Sequence, residues 1–286
     1  MLKQFFEKFP IPGTTGYVTL VHTTPPYLMR IISDEFAARG LSPRDTHVRC
    51  IACTGGVITS RIRTLVNDVW CVPLRTSYSL SEFNGYAVGC DRYANRYHFD
   101  ASIYAEVVDP VDHEPVEEGR EGVLVLTSLY PFQQAQPFIR YDTSDLVALV
   151  GRTCECGHVG TSIEYRGRVD HCLDLADIVP NGRRFLASSD VHDVLEDMTE
   201  IPSILYPRFA LRRFDEQGRT TVQLTTEIYQ IASPEMLARV RQRILSGILA
   251  RYPALAALTE QHRLAWDIRV RNRGEMESYF RLYPDS

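Results

Sequence analysis

The sequence lacks several features that would assign it to a specialised class of protein. Its 286 residues contain no run of 18 apolar residues, so we expect no membrane span. The 31 basic residues are outnumbered by 36 acidic ones, and a net charge of -5 argues against binding to nucleic acid or to an anionic membrane. The composition that remains, 44% hydrophobic and 23% charged, is typical of a globular protein with one large core or two domains.

Two further absences bear on the compartment in which the protein works. Residues 1–7 are too short and too polar a stretch to serve as a secretory signal. The seven cysteines are an odd number, which together with the lack of a leader argues against a secreted disulfide framework. We therefore expect a protein of the reducing cytoplasm.

The first hundred residues predict a parallel α/β unit. Strand-like apolar runs at residues 19–22, 48–53 and 69–72 alternate with helix-like segments at residues 26–39 and 59–68. Strands that are joined through helices are parallel. Ligands of such sheets bind beyond the carboxyl ends of the strands, so the loops that follow these strands are candidate binding sites.

The pattern changes twice further along the chain. Short strands at residues 103–108, 122–127 and 145–150, separated by turns, predict a small antiparallel β-sheet or barrel. Strands and helices then alternate to the end, and Ser233 followed by Pro234 is a typical helix start. The predicted fold class is therefore α/β, with a parallel βαβ half-domain in residues 1–100, an antiparallel β-sheet or barrel in residues 101–170, and an α+β C-terminal domain in residues 171–286. The first two parts are expected to form one large domain over residues 1–170.

Three short motifs carry the functional information. They are Tyr78-Ser-Leu-Ser-Glu82, Arg140-Tyr-Asp-Thr-Ser-Asp-Leu146 and Gly167-Arg-Val-Asp170. In order and spacing these motifs resemble those of the adenylate-forming acid ligases, with the phenylacetate–CoA ligases as the nearest branch. The resemblance is clear from about residue 18 to residue 170 and weaker beyond it. The chain is similar to such a ligase without most of its N-terminal region.

The resemblance implies a role in ATP binding for the first two motifs. Tyr78 would stack on adenine, Ser81 would bond the α-phosphate, and Glu82 would hold Mg²⁺, a hard cation that prefers carboxylate oxygen. Asp145 would accept both hydroxyl groups of the ribose, since an ionised carboxylate takes two donors at once. Read from the residues alone, the two motifs also fit a turn that ends a strand and a capped strand start.

Two other stretches match the family less fully. Gly55 and Gly56 match the loop that lies against adenine, although Val57 stands where the family usually has glutamate. A Gly-Gly turn after a strand requires no ligand, so that alternative stays open. Arg168 would contact the nucleotide, and Asp170 would be the hinge at which the family's small C-terminal domain rotates.

Four residues form a candidate metal site: Cys90, His98, Cys154 and Cys156. Three thiolates and one imidazole make a closed tetrahedral zinc site, and some relatives of the phenylacetate–CoA ligases carry such a cysteine pair in the same loop. His158 is a reserve ligand, and the alternative is a set of buried free thiols. The remaining cysteines occur in apolar strand-like contexts and are expected in the core: Cys50, Cys53, Cys71 and Cys172.

The chain departs from the family at the groups that handle the phosphates of ATP. The family has a phosphate loop that ends in lysine, whereas Pro12-Gly-Thr-Thr-Gly16 has no lysine and runs into a strand, which favours an ordinary turn. The family also has an essential lysine near its C-terminus, but Asn272-Arg-Gly-Glu-Met276 contains none. Lys3 and Lys8 are the only lysines, and arginine does not reliably replace a point-charge ammonium.

These observations lead to two hypotheses about function. In the first, the protein is an adenylate-forming ligase that activates a small aryl or acyl carboxylic acid with ATP and Mg²⁺, either alone or together with a partner chain that supplies the absent half. In the second, it is a catalytically degenerate homologue that binds a nucleotide, an acyl-adenylate or a protein partner. An apolar surface left by the missing region predicts a homo-oligomer or a protein partner.

Overall fold

A computed structural model describes residues 18–23, 38, 40, 42–179, 183–202, 209–216, 219–231 and 233–276. The predicted helix at residues 26–39, apart from Ala38, and the glycine-bearing turn at residues 12–16 lie outside these ranges. No helix among the described residues is long and apolar enough to cross a membrane.

The described elements are fourteen strands and four α-helices. The strands are β1 (Leu20–Thr23), β2 (Cys50–Thr54), β3 (Leu74–Ser79), β4 (Tyr86–Gly89), β5 (Arg96–His98), β6 (Ile103–Val108), β7 (Glu121–Ser128), β8 (Tyr141–Thr153), β9 (Val159–Arg168), β10 (Leu173–Asp174), β11 (Phe185–Leu186), β12 (Phe209–Glu216), β13 (Arg219–Ile228) and β14 (Leu264–Asn272). The helices are α1 (Ser60–Leu65), α2 (Ser188–Glu196), α3 (Pro234–Arg251) and α4 (Pro253–Glu260). Single helical turns cover Pro43–Asp45, Val66–Trp70 and Val169–His171.

Nine strands form one mixed sheet in the order β1-β2-β3-β4-β5-β9-β8-β7-β6. The first three strands are parallel, and every later pair of neighbours is antiparallel. The predicted α/β class is confirmed. The parallel and antiparallel parts share one sheet because β3 pairs with β4 and β5 pairs with β9.

The connection from β2 to β3 differs from the sequence prediction. Thr59 caps α1 by accepting a hydrogen bond from the backbone N–H of Ile62, so the helix starts where predicted. The strand predicted at residues 69–72 is wrong, because Val66–Trp70 form a π-helical turn that continues the helix, and β3 starts only at Leu74. Trp70 is buried in the core beneath the parallel strands, so tertiary packing overrides the strand propensity of this apolar run.

The C-terminal part has the predicted α+β character. β12 pairs with β13 antiparallel and β13 with β14 parallel, and α3 and α4 pack on this small sheet. Ser233 Oγ accepts a hydrogen bond from the backbone N–H of Met236 and caps α3 as predicted. The helix buries Val240, Ile244 and Ile248 in a core that is separate from that of the large sheet.

Polar contacts join α2 of the C-terminal part to the start of α1. Asp193 accepts hydrogen bonds of 3.1 Å from both the backbone N–H and the hydroxyl of Ser60. The Thr59 hydroxyl donates to the carboxylate of Glu196, and Arg61 Nη1 donates to the Glu196 carbonyl at 3.1 Å. These carboxylates lie at the positive end of a short helix, which favours negative charge. α2 therefore packs against the start of α1, which follows the Gly-Gly loop in the sequence.

Candidate functional site

The first motif begins inside a strand and ends in a turn. Tyr78 pairs with Ala87 within the β3–β4 ladder, one residue before β3 ends. Ser81 and Glu82 lie in the following turn and are exposed. The motif therefore presents a half-buried aromatic ring followed by two exposed polar side chains at a strand end. This is the part of an α/β sheet at which ligands bind.

Tyr78 and Asp145 are joined by a short hydrogen bond. The Tyr78 hydroxyl donates to Asp145 Oδ2 at 2.6 Å, and Arg168 Nη1 lies 3.3 Å from Oδ1 of the same carboxylate. Arg168 Nη1 also donates to the carbonyl of Thr143 at 2.9 Å. Residues from all three sequence motifs thus meet at a carboxylate that is only 3% exposed.

A bulge in β8 gives Asp145 this position. The pairing of β8 with β7 shifts between Val123 and Val125, and Ser144 has a φ of 55°. The side chain of Thr143 holds the bulge, because its hydroxyl donates to the Leu124 carbonyl at 2.8 Å and accepts from the Asp145 N–H at 3.2 Å. Bulges redirect side chains beside functional sites, and this one directs Asp145 towards Tyr78.

Burial dominates the electrostatics of this pair. Loss of solvent raises the pKa of Asp145, although the hydrogen bond from Tyr78 and the charge of Arg168 oppose that rise. Burial, and then the nearby Asp145 charge, raise the pKa of Tyr78 well above its usual value. Tyr78 therefore stays a hydrogen-bond donor throughout the physiological pH range.

A second link joins the first two motifs at the surface. The Tyr141 hydroxyl donates a hydrogen bond of 3.0 Å to Glu82 Oε1. That bond, followed by burial, raises the pKa of Tyr141. Gln133 Nε2 donates to the backbone carbonyl of Glu82 at 3.2 Å and fixes the turn. The Glu82 carboxylate is therefore oriented by its neighbours while it remains exposed to solvent.

Three aromatic rings pack against Tyr78. The ring centroids of Tyr97, Phe99 and Tyr165 lie 6.0, 6.1 and 6.0 Å from that of Tyr78. Tilted and edge-on arrangements at this separation are favourable for aromatic pairs. The stacking of Tyr78 on adenine stays a prediction. Adenine would have to use the part of the half-buried Tyr78 ring that these three neighbours do not cover.

The Gly-Gly loop is held by a residue that the sequence did not single out. Gly55 follows β2 with a φ of 76°, a conformation that favours glycine, and Gly56 is half-buried. The Asn95 side chain accepts from the Ile58 N–H at 2.9 Å and donates to the Ile58 carbonyl at 3.1 Å. An isolated asparagine has no sequence signal for this role, because Ile58 lies 37 residues away.

The four predicted metal ligands lie together. One ligand atom from each of Cys90, His98, Cys154 and Cys156 lies within 4.8 Å of all the others. The sulfurs of Cys90 and Cys154 are 4.0 Å apart, and Cys156 Sγ lies 3.3 Å from His98 Nε2. Ligands at the usual bond lengths around a tetrahedral zinc ion are separated by about 3.5–3.8 Å. The four side chains therefore fit a zinc ion with only small adjustments.

Neighbouring groups orient these candidate ligands. His98 Nδ1 lies 2.8 Å from Ser162 Oγ, which leaves Nε2 to face the sulfurs. His158 stacks on His98 with ring centroids 4.4 Å apart, and its Nε2 lies 3.4 Å from the Phe99 carbonyl. His158, the reserve ligand of the sequence prediction, thus lies behind His98. The sequence did not single out Ser162, since its role depends on the pairing of β5 with β9.

The thiols have unequal tendencies to ionise. Burial disfavours the Cys154 thiolate, but the Cys156 N–H and the Arg96 guanidinium outweigh it and lower the pKa of Cys154 to about 7. The His158 N–H favours the Cys156 thiolate, but burial and the other two thiols raise the pKa of Cys156. A bound cation would relieve this competition between thiolates.

The other cysteines are only partly where the sequence predicted. Cys53 is buried, and Cys50 and Cys172 are half-buried. The prediction that Cys71 lies in the core is wrong, because it ends the π-helical turn in the left-handed conformation with its side chain exposed.

The chain shares part of its sequence with phenylacetate-coenzyme A ligases. No family model matches the chain. It is 32% identical over 158 residues to a phenylacetate-coenzyme A ligase of Thermus thermophilus, covering 54% of this chain and 35% of that protein. It is 28% identical over 137 residues to the phenylacetate-coenzyme A ligase of Pseudomonas putida, covering 47% and 30% respectively. The chain thus spans about a third of the length of these curated relatives.

Solved structures show the same fold at lower sequence identity. A 2-hydroxyisobutyryl-CoA ligase in the postadenylation state, in complex with 2-HIB-AMP, matches with a TM-score of 0.62 and 17% identity over 94% of this chain and 54% of that one. An anthranilate CoA ligase in complex with anthranoyl-AMP matches with a TM-score of 0.55 and 14% identity over 88% and 46%. The chain therefore has the fold of the adenylate-forming acyl-CoA ligases. Its curated homologues are phenylacetate-coenzyme A ligases.

Proposed function

We propose that this chain is the nucleotide-binding part of an adenylate-forming ligase that activates a small aryl or acyl carboxylic acid. Tyr78, Glu82, Asp145 and Arg168, here called the nucleotide clamp, support this proposal. The observation that carries it is the direct bonding of all three sequence motifs, through Tyr78 to Asp145, Tyr141 to Glu82 and Arg168 to Asp145. The names of the homologues favour an aryl acid such as phenylacetate.

The proposed reaction joins the substrate carboxylate to the α-phosphate of ATP. A carboxylate oxygen forms a bond to the α-phosphorus while the bond to pyrophosphate breaks, and a thiol then displaces AMP from the acyl group. Asp145 would accept hydrogen bonds from the ribose. Because Asp145 is only 3% exposed, the ribose reaches it only when Tyr78 or Arg168 moves aside. The clamp would therefore open to admit the nucleotide.

The exposed turn would handle the phosphates. Ser81 would donate a hydrogen bond to the α-phosphate, and Glu82 would hold Mg²⁺, which in proteins is usually bound by one or two carboxylates together with substrate phosphates. The Glu82 carboxylate suits this role because it is exposed while Tyr141 fixes its direction. The ion would offset the charge that develops on pyrophosphate as it leaves. Gly55 and Gly56 would form the wall against adenine.

We further propose that Cys90, His98, Cys154 and Cys156 hold a structural zinc ion. Four protein ligands fill a tetrahedral shell and leave no open position, which is the mark of a structural rather than a catalytic site. Cys90 follows β4 and His98 lies in β5, whereas the other two ligands lie in the turn between β8 and β9. The ion would thus join two hairpins of the sheet.

A second function is favoured by the absence of lysine. The only lysines are Lys3 and Lys8, so no residue from 9 to 286 supplies the ammonium group that the family uses near its C-terminus. A chain without that group would bind a nucleotide or an acyl-adenylate and leave adenylation undone, or would require a further polypeptide segment that carries a phosphate loop. Loss of such a group costs several kcal/mol of transition-state stabilisation, of the order of 2.7–4 kcal/mol per donor.

Exchange of radiolabelled pyrophosphate into ATP distinguishes the two functions. The purified chain would be assayed with Mg²⁺ and a panel of aryl and short acyl acids. Adenylation predicts acid-dependent exchange that is lost in Glu82→Gln and kept in the matched control Glu114→Gln, an exposed carboxylate distant in sequence from the motifs. AMP binding without exchange would instead establish the binding module. The absence of both exchange and AMP binding would reject both functions.

A further inference from the structure

Strand β5 lies between the proposed metal centre and the ring of Tyr78 in the nucleotide clamp. Side chains of a strand alternate between its two faces. His98 points to the cysteines, while its neighbours Tyr97 and Phe99 point to the opposite face. Both neighbours are buried in the core of the large sheet. An interaction that holds the backbone of His98 in place therefore also holds the side chains of Tyr97 and Phe99 in place.

The two aromatic side chains bear directly on Tyr78. Tyr97 and Phe99 pack against the Tyr78 ring with centroids 6.0 and 6.1 Å away. The hydroxyl of the same ring donates at 2.6 Å to Asp145, the proposed ribose acceptor. A shift of β5 of a few tenths of an ångström would therefore alter the length or angle of this hydrogen bond, whose strength depends steeply on geometry.

A second route joins the metal centre to the clamp through β8 and β9. Cys154 and Cys156 lie in the turn between these strands, and Asp145 lies in β8. In β9, Ser162 contacts the imidazole of His98, and Tyr165 packs against Tyr78 at 6.0 Å. One pair of metal ligands thus comes from the hairpin that carries Asp145, and His98 comes from the strand whose aromatic residues pack against Tyr78.

We propose that a metal ion bound by Cys90, His98, Cys154 and Cys156 positions Tyr78 for nucleotide binding. The inference rests on the proposed nucleotide and metal sites and adds an energetic coupling between them. Thiols are weak hydrogen-bond partners, so without an ion the four side chains make only weak contacts with one another. The two hairpins then separate more easily, and Tyr78 loses its fixed position. Tyr97 and Phe99 act here as positioning residues.

The first test measures this positioning without any nucleotide. Hydrogen exchange of the amides in residues 74–82 would be compared in zinc-loaded protein, in protein treated with a chelator and in Cys156→Ser. Exchange should be about tenfold faster without zinc, since local opening governs exchange. The amides of β12–β14, which belong to a separate core, serve as the internal reference. Equal exchange of residues 74–82 with and without zinc would overturn the inference.

A matched cysteine variant controls for loss of a thiol. Cys71 is exposed and lies outside the metal cluster, so Cys71→Ser should keep both the zinc content and the slow exchange of residues 74–82. Zinc content would be measured with a chromogenic chelator after unfolding, with one ion per chain expected for wild type and none for Cys156→Ser. A wild-type chain that holds no zinc, after purification and after reconstitution, would also overturn the inference.

The second test asks whether the coupling runs through the aromatic side chains. Phe99→Leu should keep its zinc ion, because Phe99 is not a ligand, and should weaken AMP binding about fivefold, the equivalent of one lost hydrogen bond. Removal of zinc from wild type should weaken AMP binding by a similar factor. Phe132→Leu, at an exposed phenylalanine, should leave both properties unchanged.

The outcomes separate this inference from the proposed function. Zinc removal that weakens AMP binding while Phe99→Leu does not would overturn the route through Tyr78. AMP binding that is independent of zinc would overturn the coupling and leave the nucleotide clamp intact. If no form of the chain binds AMP, the proposed function fails, and the hydrogen exchange of residues 74–82 alone decides whether the metal positions Tyr78.

Discussion

The hydroxyl of Tyr78 donates a 2.6 Å hydrogen bond to Asp145 Oδ2 across 67 residues of sequence. This bond joins a strand of the parallel part of the sheet to the bulged strand β8 of the antiparallel part. Arg168, at the end of β9, completes the arrangement from the third motif. The relationship explains why three short motifs, which are separate in sequence, form one site.

Removal of this hydroxyl should destabilise the fold. Tyr78→Phe leaves a buried oxygen of Asp145 without its donor, which costs about 1–3 kcal/mol of unfolding free energy. Urea unfolding measures this loss. Tyr104→Phe is the matched control, because Tyr104 is 48% exposed, and it should change stability by less than about 0.5 kcal/mol. Equal stability of the two variants would mean that the Tyr78–Asp145 bond contributes little.

Loss of the Ser162 hydroxyl should weaken the proposed zinc site. Ser162 is fully buried and its oxygen lies 2.8 Å from His98 Nδ1, so Ser162→Ala removes the group that directs Nε2 towards the sulfurs. Zinc affinity should fall by about 10–100-fold, as is usual for such supporting groups. Competition with a chromogenic chelator measures it, with Ser246→Ala on the exposed side of α3 as control. An unchanged affinity would show that His98 needs no support from Ser162.

Gly167 should tolerate alanine poorly. Its φ is 129°, and an added Cβ would lie 1.9 Å from Ser188 Oγ at the start of α2. Gly119→Ala is a useful comparison, since Gly119 has a φ of 83° but has open space around the position of a Cβ. Backbone strain alone costs about 1–3 kcal/mol at either site, and the collision adds to it at Gly167. If both variants lose the same free energy of unfolding, α2 does not pack tightly against Gly167.

A histidine in the C-terminal part should make stability depend on pH. His192 packs edge-on against Phe209 with ring centroids 4.9 Å apart, and burial, together with His171, lowers its pKa from 6.5 to about 4. The folded state therefore binds this proton less readily than the unfolded state does. The contribution of neutral His192 to the stability of the folded state is complete above pH 6.5 and is lost as the pH falls towards 4.

The free energy of unfolding that His192 contributes should fall by about 2 kcal/mol between pH 7 and pH 5. Urea unfolding of wild type and His192→Leu at both pH values measures the part that belongs to this side chain. The difference between the two pH values should be about 2 kcal/mol smaller in the variant. If both proteins respond equally to pH, His192 titrates alike in the folded and unfolded states.

The sequence was sufficient to predict the fold class and the four residues of the Cys/His cluster. Periodic apolar patterns gave the parallel strands β1 and β2, the antiparallel part and the capped start of α3, because these are local signals. The segment at residues 69–72 was predicted wrongly because a short apolar run fits a strand and a buried helical turn equally well. Tertiary packing of Trp70 decides between them.

The residues that support the site could not be predicted from the sequence. Asn95 and Ser162 act through partners that only the strand pairing brings near, 37 residues away for Asn95 and 64 for Ser162. The contacts that cover Asp145 with Tyr78 and Arg168 were likewise not predicted. A sequence motif identifies the residues of a site but not the contacts that they make when no ligand is bound. Such contacts depend on the register of β8 and its bulge.

Calorimetric titration of the purified chain with AMP tests the central claim most directly. Wild type should bind AMP, and Asp145→Asn, which keeps the shape of the side chain and removes its charge, should bind about 10–100-fold more weakly. Asp112→Asn, at an exposed aspartate, should bind as wild type does. Equal affinity of wild type and Asp145→Asn, or no binding of AMP by wild type, would contradict the account of Asp145 as the ribose acceptor of a nucleotide clamp.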